Sequence, residues 1–382
     1  MRAKRTPGRF NWMEVGYWCA YGAFTTFAIA YVMEKGAAAE TMGFMAAAFT
    51  LGAFLGQFVW GTLSDRLRTC KTLFLIGCAL VMAANVLFFL HPLGAVGIAL
   101  YALIGFIQMP VGSMLDTWVL RAYPEETFRF GRARACSTFA YAILMPVQGN
   151  LIRRFGYGMM PLVSAIFLAI AFGTALFTSD AQWRDASQKA EKKINRFSYI
   201  ARLGGFLAIL FGMGLANAPQ IQLTALLVAG VGGNVVHQSY VMFANSIAMS
   251  PVLLFSRQIG KIPAWTRLTM ASAAFVATLA GILSARSPYV LIACYLLNGL
   301  GSALYLPAMR QIMLENAPEE MQSTAQGLGD AVYSSMAGMV SSAASGMIIG
   351  AWGVHRMVAI CLGLQTACAL ILAARMIRRR KC

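Results

Sequence analysis

The chain has 382 residues, 59% of them hydrophobic and only 12% charged, with a mean hydropathy of +0.64. About a quarter of a soluble globular chain is charged, so this composition excludes a water-soluble domain. The net charge of +17 does not point to nucleic acid, because the basic residues sit in short clusters between long apolar runs.

A spanning helix needs about 20 apolar residues. Twelve windows meet that length, near 11–33, 41–63, 72–91, 94–121, 131–152, 157–178, 198–220, 233–256, 265–285, 288–314, 322–349 and 354–376. The expected fold is therefore an all-α membrane protein with twelve transmembrane helices. The basic start, Met1 to Arg9, leads into a long apolar run with no small-residue cleavage site, which reads as a first span. Asn217, Pro219, Gly230, Gly232 and Gly233 interrupt the seventh and eighth windows, and His237 falls close by. With the N-terminus placed in the cytoplasm, the cytoplasmic segments hold 25 Lys and Arg and the opposite side holds 5. That bias puts both termini in the cytoplasm.

Ser179 to Arg196 holds 8 charged residues in 18 and divides six windows from six. The expected organisation is a bundle at 1–178, a cytoplasmic linker at 179–196 and a second bundle at 197–382. The halves repeat at an offset of 194: Pro124-Glu125-Glu126 recurs as Pro318-Glu319-Glu320, Gly105 meets Gly299, Gly156 meets Gly350, and Asp116 meets Arg310. Two related six-helix halves suit rocking between two open states.

Between the second and third windows stands Gly61-Thr62-Leu63-Ser64-Asp65-Arg66-Leu67-Arg68-Thr69-Cys70-Lys71. This stretch resembles the signature loop of the major facilitator superfamily, Gly-x-x-x-Asp-Arg-x-Gly-Arg-Arg, with Arg68 where glycine is usual. A weaker copy without the aspartate, Ser256 to Lys261, follows the eighth window. The loop reads as a gate. Gly61 would allow close helix approach, Asp65 would pair with an arginine or a helix N-terminus across the bundle, and Arg66 would hold the loop on the anionic leaflet.

Charges inside spans are costly and mark function. Glu14, Asp116 and Asp330 are the acids in or next to spans, and Arg132, Arg134, Arg202 and Arg310 the bases. Asp116 and Arg134 flank one short hairpin, so they can meet. Tyr141 follows Arg134 by seven residues, about two turns, on the same face. A guanidinium fork beside a carboxylate can fix hydroxyls, and an aromatic plate suits the apolar face of a sugar ring.

Phe130-Gly131-Arg132-Ala133-Arg134 is similar to the matching stretch of the lactose permease and oligosaccharide–proton symporter family, with Asp116 18 positions before Arg134. The resemblance implies that Asp116 and Arg134 hydrogen-bond a substrate and that Tyr141 stacks on it. Aligned through Asn245 and Ile259-Gly260, it adds Asn245 to the substrate site and puts Met242 at the family's helix 8 acid. The ninth window has no interior arginine, and the tenth shows Asn298 without a histidine or acid before Arg310. The family's proton-coupling cluster is therefore absent, so proton coupling would be altered, moved to Asp330, Asp116 or Glu14, or lost.

Gln57, Gln108, Asn150, Gln148, Asn298 and Gln326 are further polar residues that suit a cavity or helix–helix contacts. The eight cysteines form no CxxC pair, and His91, His237 and His355 are far apart, so neither an enzyme nor a metal site nor a cofactor is expected. The expected function is a secondary active transporter in the inner membrane, moving a sugar or glycoside. An exporter of amphipathic compounds, a carrier of nucleosides or aromatic acids, or a non-transporting receptor are the alternatives. The expected partners are a small-molecule solute, the lipid bilayer and protons where an acid replaces the missing cluster. A monomer is expected.

Overall fold

The computed structural model describes residues 7–123, 127–181, 196–317 and 327–381. Among them twelve long helices follow one another. They are α1 (Pro7–Glu34), α2 (Ala39–Leu67), α3 (Lys71–Leu90), α4 (Gly94–Ala122), α5 (Thr127–Phe155) and α6 (Met159–Leu176). The second set is α7 (Arg196–Gln222), α8 (Val235–Leu254), α9 (Ala264–Ser284), α10 (Pro288–Glu315), α11 (Gly327–Trp352) and α12 (Val354–Lys381). Ten of these are long and apolar enough to cross a membrane by length and composition. The side chains of Phe128, Arg129 and Arg202, the two Pro-Glu-Glu triplets, Gln326 and most of the 179–196 linker lie outside the described residues.

The hydropathy windows and the helices agree closely, with one instructive difference. Asn217 and Pro219 do not end α7. The helix runs on to Gln222, and the Pro219 carbonyl accepts a hydrogen bond from Leu223 N at 2.9 Å. Proline is tolerated inside a membrane helix when neighbouring groups satisfy the freed backbone. The break falls instead at a short helix, Thr224–Gly230, and at Gly232, whose φ of +73° needs glycine.

The packing order repeats. In the first half α1 packs on α5 and α6, α4 on α2 and α3, and α3 on α6. In the second half α7 packs on α11 and α12, α10 on α8 and α9, and α9 on α12. The repeated glycines explain part of this. A Cβ on Gly105 would fall 2.1 Å from the Phe49 carbonyl of α2, and one on Gly299 falls 2.1 Å from the Asn245 carbonyl of α8. Small residues at these sites let helix backbones touch. The pairing of Gly156 with Gly350 does not hold. Gly156 follows α5 with φ +81°, whereas the matching stop after α11 is Gly353 at φ +83°.

The halves meet through two symmetry-related pairs, α2 with α11 and α5 with α8. The contacts concentrate at the far end of the bundle, opposite the termini. A Cβ on Gly43 would fall 2.6 Å from the Gly346 Cα, and one on Gly149 2.3 Å from Ser239 Oγ. Gln222 Nε2 donates to Thr50 Oγ1 at 3.2 Å, and Gln238 Nε2 donates to the Thr26 carbonyl at 2.8 Å.

Candidate functional site

Glu14 on α1, Asp116 on α4 and Arg134 on α5 lie at similar depth, about two helical turns or ~10 Å in from the terminal end. The fold brings them together. Arg134 Nη1 is 3.7 Å from Glu14 Oε2 and 3.6 Å from Asp116 Oδ1. These are ion-pair distances, longer than hydrogen bonds. The Glu14 side chain is fully buried, Asp116 is 26% exposed and Arg134 is 36% exposed. Glu14 was expected at a solvated helix end or as a proton carrier; burial removes the first reading. Arg134 Nη1, Asp116 Oδ1 and both Glu14 oxygens are buried atoms with no hydrogen-bond partner among the described residues. Buried polar groups left unpaired cost about 1–3 kcal/mol each, so such a cluster calls for a missing partner.

The aromatic companion of Arg134 is Trp18, four residues after Glu14 and one turn along α1. The guanidinium carbon lies 4.3 Å from the Trp18 ring centroid. Trp18 meets Tyr21 edge-on at 5.6 Å. Tyr141 is half-buried against α1. Its hydroxyl is 3.1 Å from Thr26 Oγ1, and a Cβ on Gly22 would fall 2.4 Å from its ring. Glu14 and Trp18 share one face of α1, spaced i to i+4. That carboxylate-plus-aromatic spacing is the sequence signal for this site.

The second half presents the inverse pair. Arg310 on α10 holds Asp330 on α11, with Nη2 to Oδ2 at 3.1 Å. Arg310 also stands within electrostatic reach of Asp116 of the first half. Tyr305 and Tyr333 stack beside this pair at 4.1 Å. Asn245 stays apart, at the α8–α10 contact, with its Oδ1 buried and without a hydrogen bond among the described residues. Met242 is buried in the apolar core.

Deeper in the second half a neutral amide network joins four helices. Asn217 Nδ2 donates to Gln365 Oε1 at 3.1 Å, and Gln220 Nε2 donates to Asn217 Oδ1 at 2.9 Å. Asn298 Nδ2 donates to Gln220 Oε1 at 3.3 Å, and Gln365 Nε2 donates to Ser272 Oγ at 2.9 Å. Arg267 opens α9 buried, donating to the Ile262 carbonyl at 3.0 Å and to Gln311. It belongs to the protein interior.

The loop at 61–71 differs from expectation in two respects. A Cβ on Gly61 would meet nothing within 4 Å, and the close approach of α2 to α4 is made by Gly52 and Gly56. Asp65 pairs with Arg121 of its own half at 3.7 Å, not across the bundle. Arg66 is exposed. Arg68, where the signature has glycine, closes α2 with φ 49° and ψ 42°, the left-handed conformation glycine adopts freely. Asp180 was not singled out by sequence. Its Oδ1 accepts from Cys70 N and Lys71 N, each at 3.0 Å, and Thr69 Oγ1 donates to its Oδ2 at 2.5 Å. It caps the N-terminus of α3 from 110 positions away.

Of the other polar residues, Gln108 and Gln148 are buried and bonded within the first half, to Thr25 Oγ1 and the Ala23 carbonyl respectively. Gln57 and Asn150 are exposed, bonding Ser113 Oγ and the Pro146 carbonyl.

The sequence model of the Major Facilitator Superfamily matches residues 13–342. The chain belongs to that superfamily. By sequence, no curated protein matches it. Among solved structures, the nucleoside transporter NupG is similar with a TM-score of 0.81 at 13% identity, over 96% of this chain and 98% of that one. A POT family transporter in complex with a thioalcohol-conjugated peptide gives 0.74 at 13%, over 98% and 96%. The human organic anion transporter MFSD10 gives 0.67 at 16%, over 97% and 100%. These identities carry the fold alone. The superfamily match makes the chain a multi-pass membrane transporter rather than an enzyme.

Proposed function

We propose that this chain is a secondary active transporter that moves a small polar, ring-bearing solute, a sugar or glycoside first, by alternating access. One observation carries the reading. Arg134 and Asp116 face the cleft part-exposed, and their buried polar atoms make no hydrogen bond among the described residues. A solute hydroxyl can accept from the Arg134 fork and donate to Asp116, satisfying both. Trp18, Tyr21 and Tyr141 supply aromatic faces for the apolar side of a ring.

With the N-terminus in the cytoplasm of a cell whose inner membrane holds the protein, the cleft opens inward, because the halves touch at the far end. Asp65, Arg66 and Gly61 then lie at the cytoplasmic gate, with Asp65 in its open-state pairing to Arg121. A nucleoside is the second reading. The same aromatic faces favour it, and NupG, described as a nucleoside transporter, shares the fold. A monomer suffices for either.

Uptake and counterflow of a sugar and nucleoside panel into proteoliposomes tests the reading. Arg134→Ala should weaken binding of the transported solute ~100-fold, since a charged hydrogen-bonded contact contributes about 1.5–3 kcal/mol. Absence of uptake and counterflow for every sugar and nucleoside rejects the solute class.

A further inference from the structure

The first-half cluster has a charge count that does not close. Two carboxyl groups, Glu14 and Asp116, share one guanidinium, Arg134, at nearly equal distances. With both acids ionised the cluster holds an excess negative charge, and one of its members is fully buried. Several helices surround Glu14. α5 brings Arg134, α4 brings Asp116, and α1 itself adds Trp18 and Tyr17. α6 meets α1 at Gly16 with the Phe167 backbone and Ala171. Across the cleft Arg310 is neutralised by Asp330 at 3.1 Å. No described residue supplies the second cation.

The two carboxyl groups also lie next to one another, since Glu14 Oε2 and Asp116 Oδ1 approach the same Arg134 nitrogen, at 3.7 and 3.6 Å. Two carboxylates cannot bond, since each is acceptor-only; a carboxylic acid and a carboxylate can. We propose that Glu14 and Asp116 hold one exchangeable proton between them, which makes this pair, and not a cluster in the second half, the coupling-ion site of the carrier. The step balances simply. A hydronium ion at the open end gives its proton to one carboxylate and is left as water, an O–H bond forms, and the acid donates to its neighbour. The cluster then carries one negative and one positive charge. Loss of the proton to water restores the excess charge. A neutral cluster can be sealed from water at far lower cost than a charged one.

Placement fits this role. Asp116 and Arg134 are part-exposed to the cleft, so the proton has a way in, while Glu14 is sealed behind them. Solute bound at Arg134 and Asp116 touches the same atoms that hold the proton. The second half offers no rival among its described residues. The one acid there inside a span, Asp330, has a cation of its own, and the deep network is built from neutral amides. The use of the proton for transport rests on the carrier reading; its presence does not.

The test is an infrared titration of the full-length protein in lipid, with the proton as the probe. The wild type should show the stretch of a protonated, buried carboxyl at neutral pH, shifted in D₂O and lost reversibly at alkaline pH. Glu14→Gln and Asp116→Asn should each remove the neutral-pH band, because the remaining acid has Arg134 to itself and ionises. Asp330→Asn should leave it. Size-exclusion profile and helical circular dichroism verify each variant's fold. A wild type without the band at neutral pH overturns the proposal whatever the variants do. A band that survives Glu14→Gln, or that survives Asp116→Asn, overturns it as well. A sugar and nucleoside panel that is not taken up rejects the solute reading and leaves this measurement standing.

Discussion

The two halves share a packing plan and differ in how they treat polarity. The first half places Glu14, Asp116 and Arg134 against aromatic rings and leaves their hydrogen-bonding capacity open. The second joins Asn217, Gln220, Asn298, Gln365 and Ser272 to one another in a hydrogen-bonded network. At the terminal end the contrast becomes an inversion. Asp116 on α4 and Arg134 on α5 are answered by Arg310 on α10 and Asp330 on α11. On the proposed function, the first half recognises the solute and the second serves as its wall.

Three changes would break or sharpen that contrast. The largest effect is expected from Gln220→Leu. It orphans Asn217 Oδ1 and Asn298 Nδ2, two buried groups, and should cost about 3 kcal/mol in stability. Thermal unfolding in detergent reads this out. A shift near zero would mean that the second-half network is no wall, and the contrast would fail.

Asp180→Ala comes next. It frees two backbone N–H groups at the start of α3 and should cost about 1–2 kcal/mol, the magnitude of a strong cap. The second half's short loop helix, Ser256–Ile259, stands where the signature copy lacks its acid. If Asp180→Ala leaves the melting temperature unchanged, the cap does not anchor the first-half loop. The smallest effect, of opposite sign, is Arg68→Gly. Relieving a left-handed arginine should stabilise by about 1 kcal/mol. A lower melting temperature would show that the Arg68 side chain holds the loop more strongly than its backbone strains it.

The helices were legible because a membrane demands long apolar runs, and hydropathy reads length directly. Pro219 misled because in lipid the surrounding helices, not local propensity, decide where a helix stops. The pairing of Asp116 with Arg134 was legible from a short hairpin. Glu14 was read only as a helix-end charge or a proton candidate. Its partners lie more than 100 positions away, and a polar residue near the start of an apolar run gives no sign of the direction it faces. The i to i+4 spacing of Trp18 from Glu14 was there to see. Asp180 could not be read at all, because a cap supplied from another part of the chain leaves no local pattern.

One turn of α11 sets its two ends to separate tasks. Ala331–Met336 winds as a π-helix, wider than the α-helix that follows it. A π turn holds one extra residue, which rotates everything before it by about 100° relative to everything after. Beyond it, Ser342 and Gly346 lie against Gly43 of the first half, where a Cβ would fall 2.6 Å from the Ser342 carbonyl and from the Gly346 Cα. Before it, Asp330 turns instead to Arg310. The helix thus works as a shaft with two cams set out of phase, and winding that single turn back to α would swing the Asp330 cam off its seat without disturbing the far bearing.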